Sequence, residues 1–239
     1  MDNSKHFREQ YHGMVYSFEK DTQKKLFAYF LLLIGLIIFL ITLFGGTDGI
    51  SEWATKFLKE HLGRAIWTTG YGPEWLANLT SETSMLGGKV IIFIGSTLVV
   101  IYYKLKGKEK LLWKFLFVLL GGNFILLILK LIFSKDVPYE PIDLLIRNVA
   151  PYPSGHAMIS LTFYLTLAVL LSRKQRRKKI RNFIFISAMV IVFIICISRI
   201  LVGAHTIKEV LAGFSIGLVW LCLCWLGERF LRIHYKWNF

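Results

Sequence analysis

The sequence contains few of the residues that hold disulfide-rich or metal-binding domains together. Its three cysteines, Cys196, Cys222 and Cys224, all lie inside apolar segments. Thiols in such segments usually behave as small buried hydrophobic side chains, so we expect neither a disulfide framework nor a metal cage built from cysteine. Acidic residues are scarce as well, and no acidic cluster resembles a magnesium site. The sequence therefore predicts no metal and no other cofactor.

The shortage of acidic residues leaves a formal net charge of +14, which in a soluble protein would suggest nucleic acid as a partner. No basic stretch is interleaved with aromatic residues, as single-stranded nucleic-acid binding favours. At 55% hydrophobic residues and a mean hydropathy of +0.54, the chain is also too apolar for a soluble domain of this length. The basic residues form short runs between apolar segments, which is typical of loops that orient a membrane protein in an anionic bilayer.

Six apolar segments approach the roughly 20 residues that a membrane-spanning helix needs. We therefore expect an all-α, polytopic membrane protein in which residues 1–239 form a single bundle of six transmembrane helices. The fourth span is short unless its helix begins near Ser154. The predicted spans are Leu26–Phe44, Met85–Tyr103, Leu111–Phe133, Ala157–Leu171, Phe183–Leu201 and Ile207–Leu226.

The charges of the links predict the orientation of these spans. The link KLKGKEK at 104–110 and the link RKQRRKKIR at 173–181 are short and basic, and such loops stay in the cytoplasm. An even number of spans then places both termini on the cytoplasmic side of the plasma (inner) membrane. The links 45–84, 134–156 and 202–206 are expected to face the periplasm or the exterior.

The longest outward link contains an amphipathic stretch, ISEWATKFLKEHL, after the first span. Its apolar residues recur at helical spacing: Ile50, Trp53, Ala54, Phe57, Leu58 and His61. This pattern fits an interfacial helix with aromatic anchors, and it fits a lid packed on the bundle equally well.

Five residues with charged or titratable side chains lie at the outward ends of the predicted spans. Lys130, His156, Arg199, His205 and Glu209 would then lie at one membrane depth. A charged residue such as Arg199, within a run of aliphatic residues, needs a partner or a wet cavity. Two cations beside two imidazoles and a carboxylate favour a site for an anion.

The stretch YPSGHAM supplies a helix start that suits phosphate. Ser154 is a good N-cap, Gly155 allows close approach of the backbone, and the first N–H groups of the following helix point toward a ligand. Two histidines near a phosphate suggest phosphoryl transfer, in which one imidazole attacks phosphorus and the other protonates the leaving oxygen. Glu209, one turn after His205, can hold that ring in the attacking tautomer.

These residues resemble the type 2 phosphatidic acid phosphatase family of integral membrane lipid phosphatases, whose motifs are K-x6-R-P, P-S-G-H and S-R-x5-H-x3-D. The second motif is intact at Pro153–His156. The third reads SRILVGAHTIKE, in which Ser198, Arg199 and His205 match and Glu209 replaces the aspartate. The resemblance covers roughly residues 85–226, which form the motif-bearing region.

The first motif, KLIFSKDVP, is incomplete. Lys130 and Pro138 match, but Val137 occupies the position of the arginine. One hypothesis is that Lys135 or Arg147 supplies the missing cation to the phosphate. Without such compensation, the protein would be a slow enzyme or a lipid-phosphate binding or transport protein with impaired catalysis.

The resemblance also implies roles and an activity. His205 would form a phosphohistidine with Glu209 orienting it, and His156 would be the general acid. The phosphate would be held, without a metal, by Lys130, Ser154, Gly155 and Arg199. The expected reaction is hydrolysis of lipid phosphates or pyrophosphates at the outer leaflet, with undecaprenyl pyrophosphate, phosphatidylglycerophosphate, phosphatidic acid and lipid A phosphates as candidate substrates. Transfer of the phosphoryl group to a second lipid is an alternative, and an ion channel or transporter is disfavoured because no continuous polar path is visible.

Overall fold

The computed structural model describes residues 3–63, 71–133 and 152–235, and side chains within residues 22–231 of these ranges. The described parts of the chain form eight α-helices. In chain order these are α1 (Asn3–Leu43), α2 (Asp48–His61), α3 (Glu74–Met85), α4 (Lys89–Leu105), α5 (Glu109–Phe133), α6 (Gly155–Ser172), α7 (Lys178–Leu201) and α8 (Ile207–Tyr235).

Within these ranges, six helical stretches are long and apolar enough to cross a bilayer. They are Thr22–Leu43, Glu74–Leu105, Glu109–Phe133, Gly155–Ser172, Lys178–Leu201 and Ile207–Leu231. Many large apolar side chains on α1, α4, α5 and α7 remain exposed, as expected of helices that face lipid. The predicted all-α bundle of six transmembrane helices is confirmed, and the fourth span begins at Gly155, directly after Ser154.

The second predicted span differs from the structure at its start. We expected one helix from Met85, but α3 already begins at Glu74, and it is separated from α4 by a break at 86–88. Gly88 precedes α4 with extended backbone angles, φ −72° and ψ 153°, which interrupt the helical hydrogen bonds. α3 packs against α7 through a face of small residues that includes Ala77 and Ser84.

The centre of the bundle is α6, which packs against α5, α7 and α8. Its buried apolar residues include Ala157, Met158 and Leu161, each with no exposed surface. The hydroxyl of Thr162 donates to carbonyl groups of its own helix, so this polar group is satisfied inside the apolar core. α6 therefore holds its first turn rigidly among three neighbouring helices.

Glycines let α8 approach its neighbours closely. A Cβ at Gly213 would overlap the carbonyl oxygen of Ser154, and one at Gly217 would lie 3.3 Å from the carbonyl oxygen of Met158. Such contacts are possible only because glycine lacks a side chain. The start of α8 is therefore pressed against the start of α6.

The amphipathic stretch after the first span forms the helix α2, as its helical spacing predicted. Ser51 and Ala54 are buried, and the Ser51 hydroxyl accepts a hydrogen bond from the backbone N–H of Lys208 at 3.1 Å. Trp53 and Phe57 instead point outward, with 65% and 42% of their surfaces exposed. The small residues of α2 thus pack on the start of α8, while its aromatic residues face away from it.

Candidate active site

The structure gathers the five predicted polar residues at one end of the bundle. Lys130 lies in the last turn of α5 and His156 in the first turn of α6, and Arg199 lies in the last turn of α7. His205 precedes α8, and Glu209 lies in its first turn. The charges that act on His156 through space include those of Arg199, His205 and Lys130, so these side chains share one electrostatic environment.

His205 and Glu209 form the central pair. Nδ1 of His205 lies 2.8 Å from Oε2 of Glu209, and both side chains are largely buried. Because the carboxylate can only accept, Nδ1 carries a proton, and in the neutral ring the lone pair is therefore on Nε2. The glutamate, which replaces the aspartate of the family motif, thus reaches the imidazole at ordinary hydrogen-bonding distance.

A capping box fixes the position of Glu209. Its Oε2 accepts a hydrogen bond from the backbone N–H of Thr206 at 3.1 Å, and its own N–H donates to the Thr206 hydroxyl at 3.3 Å. The sequence T-x-x-E at the start of α8 encodes this arrangement. The same carboxylate therefore caps the helix and orients His205.

The turn between α7 and α8 brings His205 beside Arg199. The Arg199 carbonyl accepts hydrogen bonds from the N–H groups of Ala204 and His205, at 3.1 and 3.2 Å. Gly203 sits in this turn with a φ of 72°, a conformation that favours glycine. A five-residue link between two spans is thereby folded back onto the end of α7.

Ser154 is held by its backbone, while its hydroxyl stays available. Its N–H donates to the carbonyl oxygen of Glu209 at 2.9 Å, and its own carbonyl accepts from the N–H of Met158. The side chain is fully buried, and its Oγ has no hydrogen-bond partner among the residues that the structure describes. A buried hydroxyl without a partner costs free energy, so this one suits a polar ligand.

The segment before the P-S-G-H motif is anchored to α1. The hydroxyl of Tyr152 lies 3.1 Å from Oγ1 of Thr42, which is buried in the last turn of that helix. Burial raises the pKa of the Tyr152 hydroxyl above its usual range, so the group stays protonated and can donate.

Arg199 has one anchored and one available nitrogen. Its Nη1 donates a hydrogen bond of 2.6 Å to Oγ of Ser84 in the last turn of α3. Its Nε is buried and lacks a hydrogen-bond partner within the described parts of the chain. Ser84 thus fixes the guanidinium, and Nε–H remains for an anion.

Lys130 lies inside the bundle, with only 3% of its surface exposed. A buried ammonium group needs a compensating charge, and Lys130 interacts electrostatically with Glu209. A lysine near a helix end often extends its ammonium group to water along the apolar surface, but the burial of Lys130 rules this out here.

Sequence analysis missed Ser84, Gly87 and Lys89. All three lie in or beside the α3–α4 break. We had placed Ser84 at the end of the outward link 45–84, and Gly87 and Lys89 in a continuous apolar span. A Cβ at Gly87 would come within 2.6 Å of Oγ of Ser160 and 3.5 Å of Cδ2 of His156, so this glycine packs directly beside the imidazole. The signal that could have revealed the break is the glycine pair in SMLGGK.

Two predicted cations cannot be placed. Lys135 and Arg147, proposed as substitutes for the missing arginine at Val137, lie outside the described residues, as does Pro138.

A cavity of about 240 Å³ opens beside the histidine–glutamate pair. It lies between α2, the α7–α8 turn and the start of α8, and its lining includes Ala54, Leu58, Tyr71, His205 and Glu209. In the described ranges, no group of three or more His, Cys, Asp or Glu residues is arranged to hold a metal ion. The site is therefore built from basic side chains, hydroxyls and a helix start.

Comparison with known proteins gives three matches. The sequence profile of the PAP2 superfamily matches residues 111–232, just over half of the chain. Phosphatidylglycerophosphatase B of Bacillus subtilis (strain 168) is 36% identical over 69 residues, which are 28% of this chain and 34% of that protein. The matched stretch thus spans about a third of the length of this relative.

The fold has a counterpart among solved structures. The crystal structure described as that of the first transmembrane PAP2 type phosphatidylglycerolphosphate phosphatase from Bacillus subtilis superposes with a TM-score of 0.63 at 20% identity. The superposition covers 85% of this chain and 96% of that one, so the two proteins share their fold. The matched profile contains the P-S-G-H motif and the S-R-x5-H motif, and the structure brings both to one end of a six-span bundle. The chain belongs to the PAP2 superfamily, as the resemblance of its motifs predicted, and is a multi-pass membrane protein.

Proposed function

We propose that this protein is a membrane phosphohydrolase that removes phosphate from lipid phosphates or pyrophosphates through a phosphohistidine on His205. The observation that carries the proposal is the 2.8 Å contact between His205 and Glu209, beside a buried Ser154 hydroxyl with no described partner. Nucleophilic phosphoryl transfer needs an imidazole that is held in one tautomer, beside groups that can donate hydrogen bonds to a phosphate.

In the first step, the Nε2 lone pair of His205 attacks phosphorus. The nitrogen–phosphorus bond forms as the bond to the leaving oxygen breaks, and His156 gives its proton to that oxygen. Glu209 accepts the Nδ1–H of His205 throughout, and so stabilises the positive charge that develops on the ring.

In the second step, water replaces the leaving alcohol or phosphate. His156, now neutral, takes a proton from the water as its oxygen attacks phosphorus, and the nitrogen–phosphorus bond breaks. Inorganic phosphate leaves, and both histidines return to their starting protonation states.

The charge on the phosphoryl oxygens is met by groups on three helices. The proposed donors are Lys130 on α5, the Ser154 hydroxyl and the Gly155 backbone N–H at the start of α6, and Nε of Arg199 on α7. The Ser154 hydroxyl and Nε of Arg199 have no other hydrogen-bond partner among the described residues. Fixed donors of this kind stabilise a transition state because they need no reorganisation during the reaction. Since they supply the positive charge that a metal could otherwise supply, we propose that hydrolysis proceeds without a metal ion.

The position of the site supports a lipid substrate. The site lies at the ends of membrane-spanning helices, so a lipid anchored beside the bundle presents its headgroup at a high effective concentration. The exposed aromatic residues of α2 suit the boundary between lipid and water. The name of the Bacillus relative makes phosphatidylglycerophosphate the first substrate to test, followed by phosphatidic acid, undecaprenyl pyrophosphate and lipid A phosphates.

The basic links support the proposed orientation. Lys104 lies in the last turn of α4, at the end away from the site, and Lys106 follows it. The run that begins at Arg173 follows the corresponding end of α6. If these links are cytoplasmic, the site faces the periplasm or the exterior, and both termini are cytoplasmic.

The test is phosphate release from a panel of lipid phosphates by the purified full chain, with and without a chelator. Wild type should release phosphate from at least one lipid in both conditions, and His205→Ala should release none. An acid-labile, base-stable phosphoryl adduct should form on wild type alone. Folded wild type that is inactive on every lipid would overturn the proposal, and labelled phosphate found on a second lipid would identify a transferase instead.

A further inference from the structure

The first motif of this chain lacks a cation that the family resemblance leads us to expect. Val137 stands where the arginine would supply a second phosphate ligand after Lys130. A phosphoryl group in transfer carries charge on three oxygens, and its stabilisation depends on fixed positive groups around it. A cation on a helix or loop outside the first motif would explain how the site functions with Val137 in place of the arginine.

The break between α3 and α4 is tied to the site at two points. Ser84, before the break, accepts the 2.6 Å hydrogen bond from Nη1 of Arg199. Gly87, within the break, lies where even a Cβ would meet Oγ of Ser160 and approach the ring of His156. Residues 84–88 therefore pass directly along the histidine and arginine side of the site.

Lys89 follows this segment as the first residue of α4. It is two residues from Gly87, and a lysine side chain is long and flexible. The exposed ammonium group of Lys89 contributes to the electrostatic environment of both His156 and Lys130, the two groups that would flank a phosphate.

The two ammonium groups of Lys89 and Lys130 repel each other. Lys130 is buried and Lys89 is exposed, and an anion bound between the two like charges would reduce their repulsion. The available groups on the same side are the Ser154 hydroxyl and the Nε–H of Arg199, both without a hydrogen-bond partner in the described residues. A cluster of three cations and a buried, unpartnered hydroxyl points to an oxyanion as its ligand.

We propose that Lys89 is an additional phosphate-binding residue of this site and supplies the cation that is missing at Val137. This inference rests on the proposed function. The ammonium group donates hydrogen bonds to a non-bridging oxygen of the phosphoryl group and transfers no proton. Because Lys89 lies on α4 rather than in the first motif, the phosphate is held between the break at 86–88 and the first turn of α6.

The experiment compares Lys89→Ala, Lys89→Gln and Lys89→Arg in the full chain, with Lys104→Ala as the matched control. Lys104 lies on the same helix, about 22 Å away at 1.5 Å per residue, and is likewise exposed. Two quantities are measured: kcat and KM for the best lipid phosphate, and the dissociation constant of orthovanadate from the melting temperature of the detergent-solubilised protein. Orthovanadate reports binding even in a variant that does not turn over.

Loss of the charge should lower kcat/KM and weaken orthovanadate binding by about 10- to 100-fold each. This is less than the roughly 100- to 1,000-fold loss for a buried oxyanion donor, because Lys89 is exposed. Lys89→Ala and Lys89→Gln should give similar values of kcat/KM and of the orthovanadate dissociation constant, because both remove the charge and the length of the side chain alone is not expected to matter. Lys89→Arg keeps the charge and should stay within about fivefold of wild type. Lys104→Ala should match wild type in both measurements.

Two results would overturn the inference. One is normal turnover and normal orthovanadate binding in Lys89→Ala while His205→Ala is inactive. This result would reject the role of Lys89 in phosphate binding and would leave the proposed function unchanged. The other is a wild-type protein whose melting temperature does not respond to orthovanadate or inorganic phosphate. If this protein still releases phosphate, only the inference about Lys89 fails, and if it releases none, the proposed function fails as well.

Discussion

The backbone N–H of Ser154 donates a 2.9 Å hydrogen bond to the carbonyl oxygen of Glu209. This bond joins the start of α6 to the first turn of α8. It fixes the P-S-G-H segment relative to the carboxylate that holds His205, although the two segments belong to different spans. The geometry between the proposed nucleophile and the proposed phosphate donors thus depends on a contact between backbones.

Two substitutions of Glu209 test the effects of its charge and of its size separately. Glu209→Gln keeps the shape but removes the carboxylate that fixes the tautomer of His205, so kcat should fall by about 100- to 10,000-fold. Glu209→Asp, which restores the family residue, should stay within about tenfold of wild type because a carboxylate still faces Nδ1. Steady-state phosphate release measures both. Normal turnover in Glu209→Gln would contradict the proposed role.

Gly213→Ala should damage the contact between α6 and α8. A Cβ at this position would overlap the carbonyl oxygen of Ser154, which as backbone cannot turn away. We expect a destabilisation of about 1–3 kcal/mol together with a large loss of activity. Thermal unfolding in detergent and phosphate release measure the two effects.

Gly227→Ala is the matched control for this change. It lies on the same helix, and a Cβ there would meet nothing within 4 Å. Alanine favours the helix over glycine, so this variant should be as stable as wild type or more stable by up to about 1 kcal/mol. Equal damage by both substitutions would show that the close approach at Gly213 is not the cause.

Ser84→Ala should loosen Arg199 without removing its charge. The loss of a 2.6 Å hydrogen bond to a guanidinium should lower kcat/KM by about 5- to 50-fold, since bonds to charged groups contribute more than neutral ones. Thr83→Ala is the control, because among the described residues the Thr83 hydroxyl donates to the Leu79 carbonyl of its own helix. Turnover of the lipid substrate checks this, and equal rates in the two variants would disprove the anchoring role.

Gly87→Ala should displace the neighbours of His156. The added methyl would lie 2.6 Å from Oγ of Ser160 and 2.7 Å from Cγ2 of Ile195, so the α3–α4 break or α6 must shift. A shift of this size at a proposed general acid should cost about 10- to 100-fold in kcat. Gly49→Ala on α2 is the control, because the added methyl would meet nothing within 4 Å. Its kcat for phosphate release should equal that of wild type.

Part of the fold followed directly from the sequence. The thickness of the hydrocarbon layer sets the length of a spanning helix, so six apolar runs of suitable length were enough to predict six spans. The polar Pro153–Ser154 pair marked the start of the fourth span, and α6 begins at the next residue. The site residues were predicted from their places at the span ends, whereas their catalytic and binding roles, and the cytoplasmic position of the termini, stay predictions.

The α2 and α3 regions show where the sequence pattern was insufficient. In a soluble protein, apolar periodicity marks the buried face of a helix, but in a membrane both lipid and the protein interior are apolar. The pattern of α2 therefore could not reveal that Ala54 packs inward while Trp53 faces outward. For the same reason, the run from Met85 gave no sign that α3 precedes it and packs on α7.

The sequence by itself determined the spans, the order of the motifs and the chemical types present at the span ends, because length and polarity are local properties. Only the tertiary structure decided that Glu209 meets Ser154 and that Ser84 holds Arg199. These relationships connect residues on different helices. They depend on how closely glycine-lined helices pack, and no local pattern in one span records the position of another.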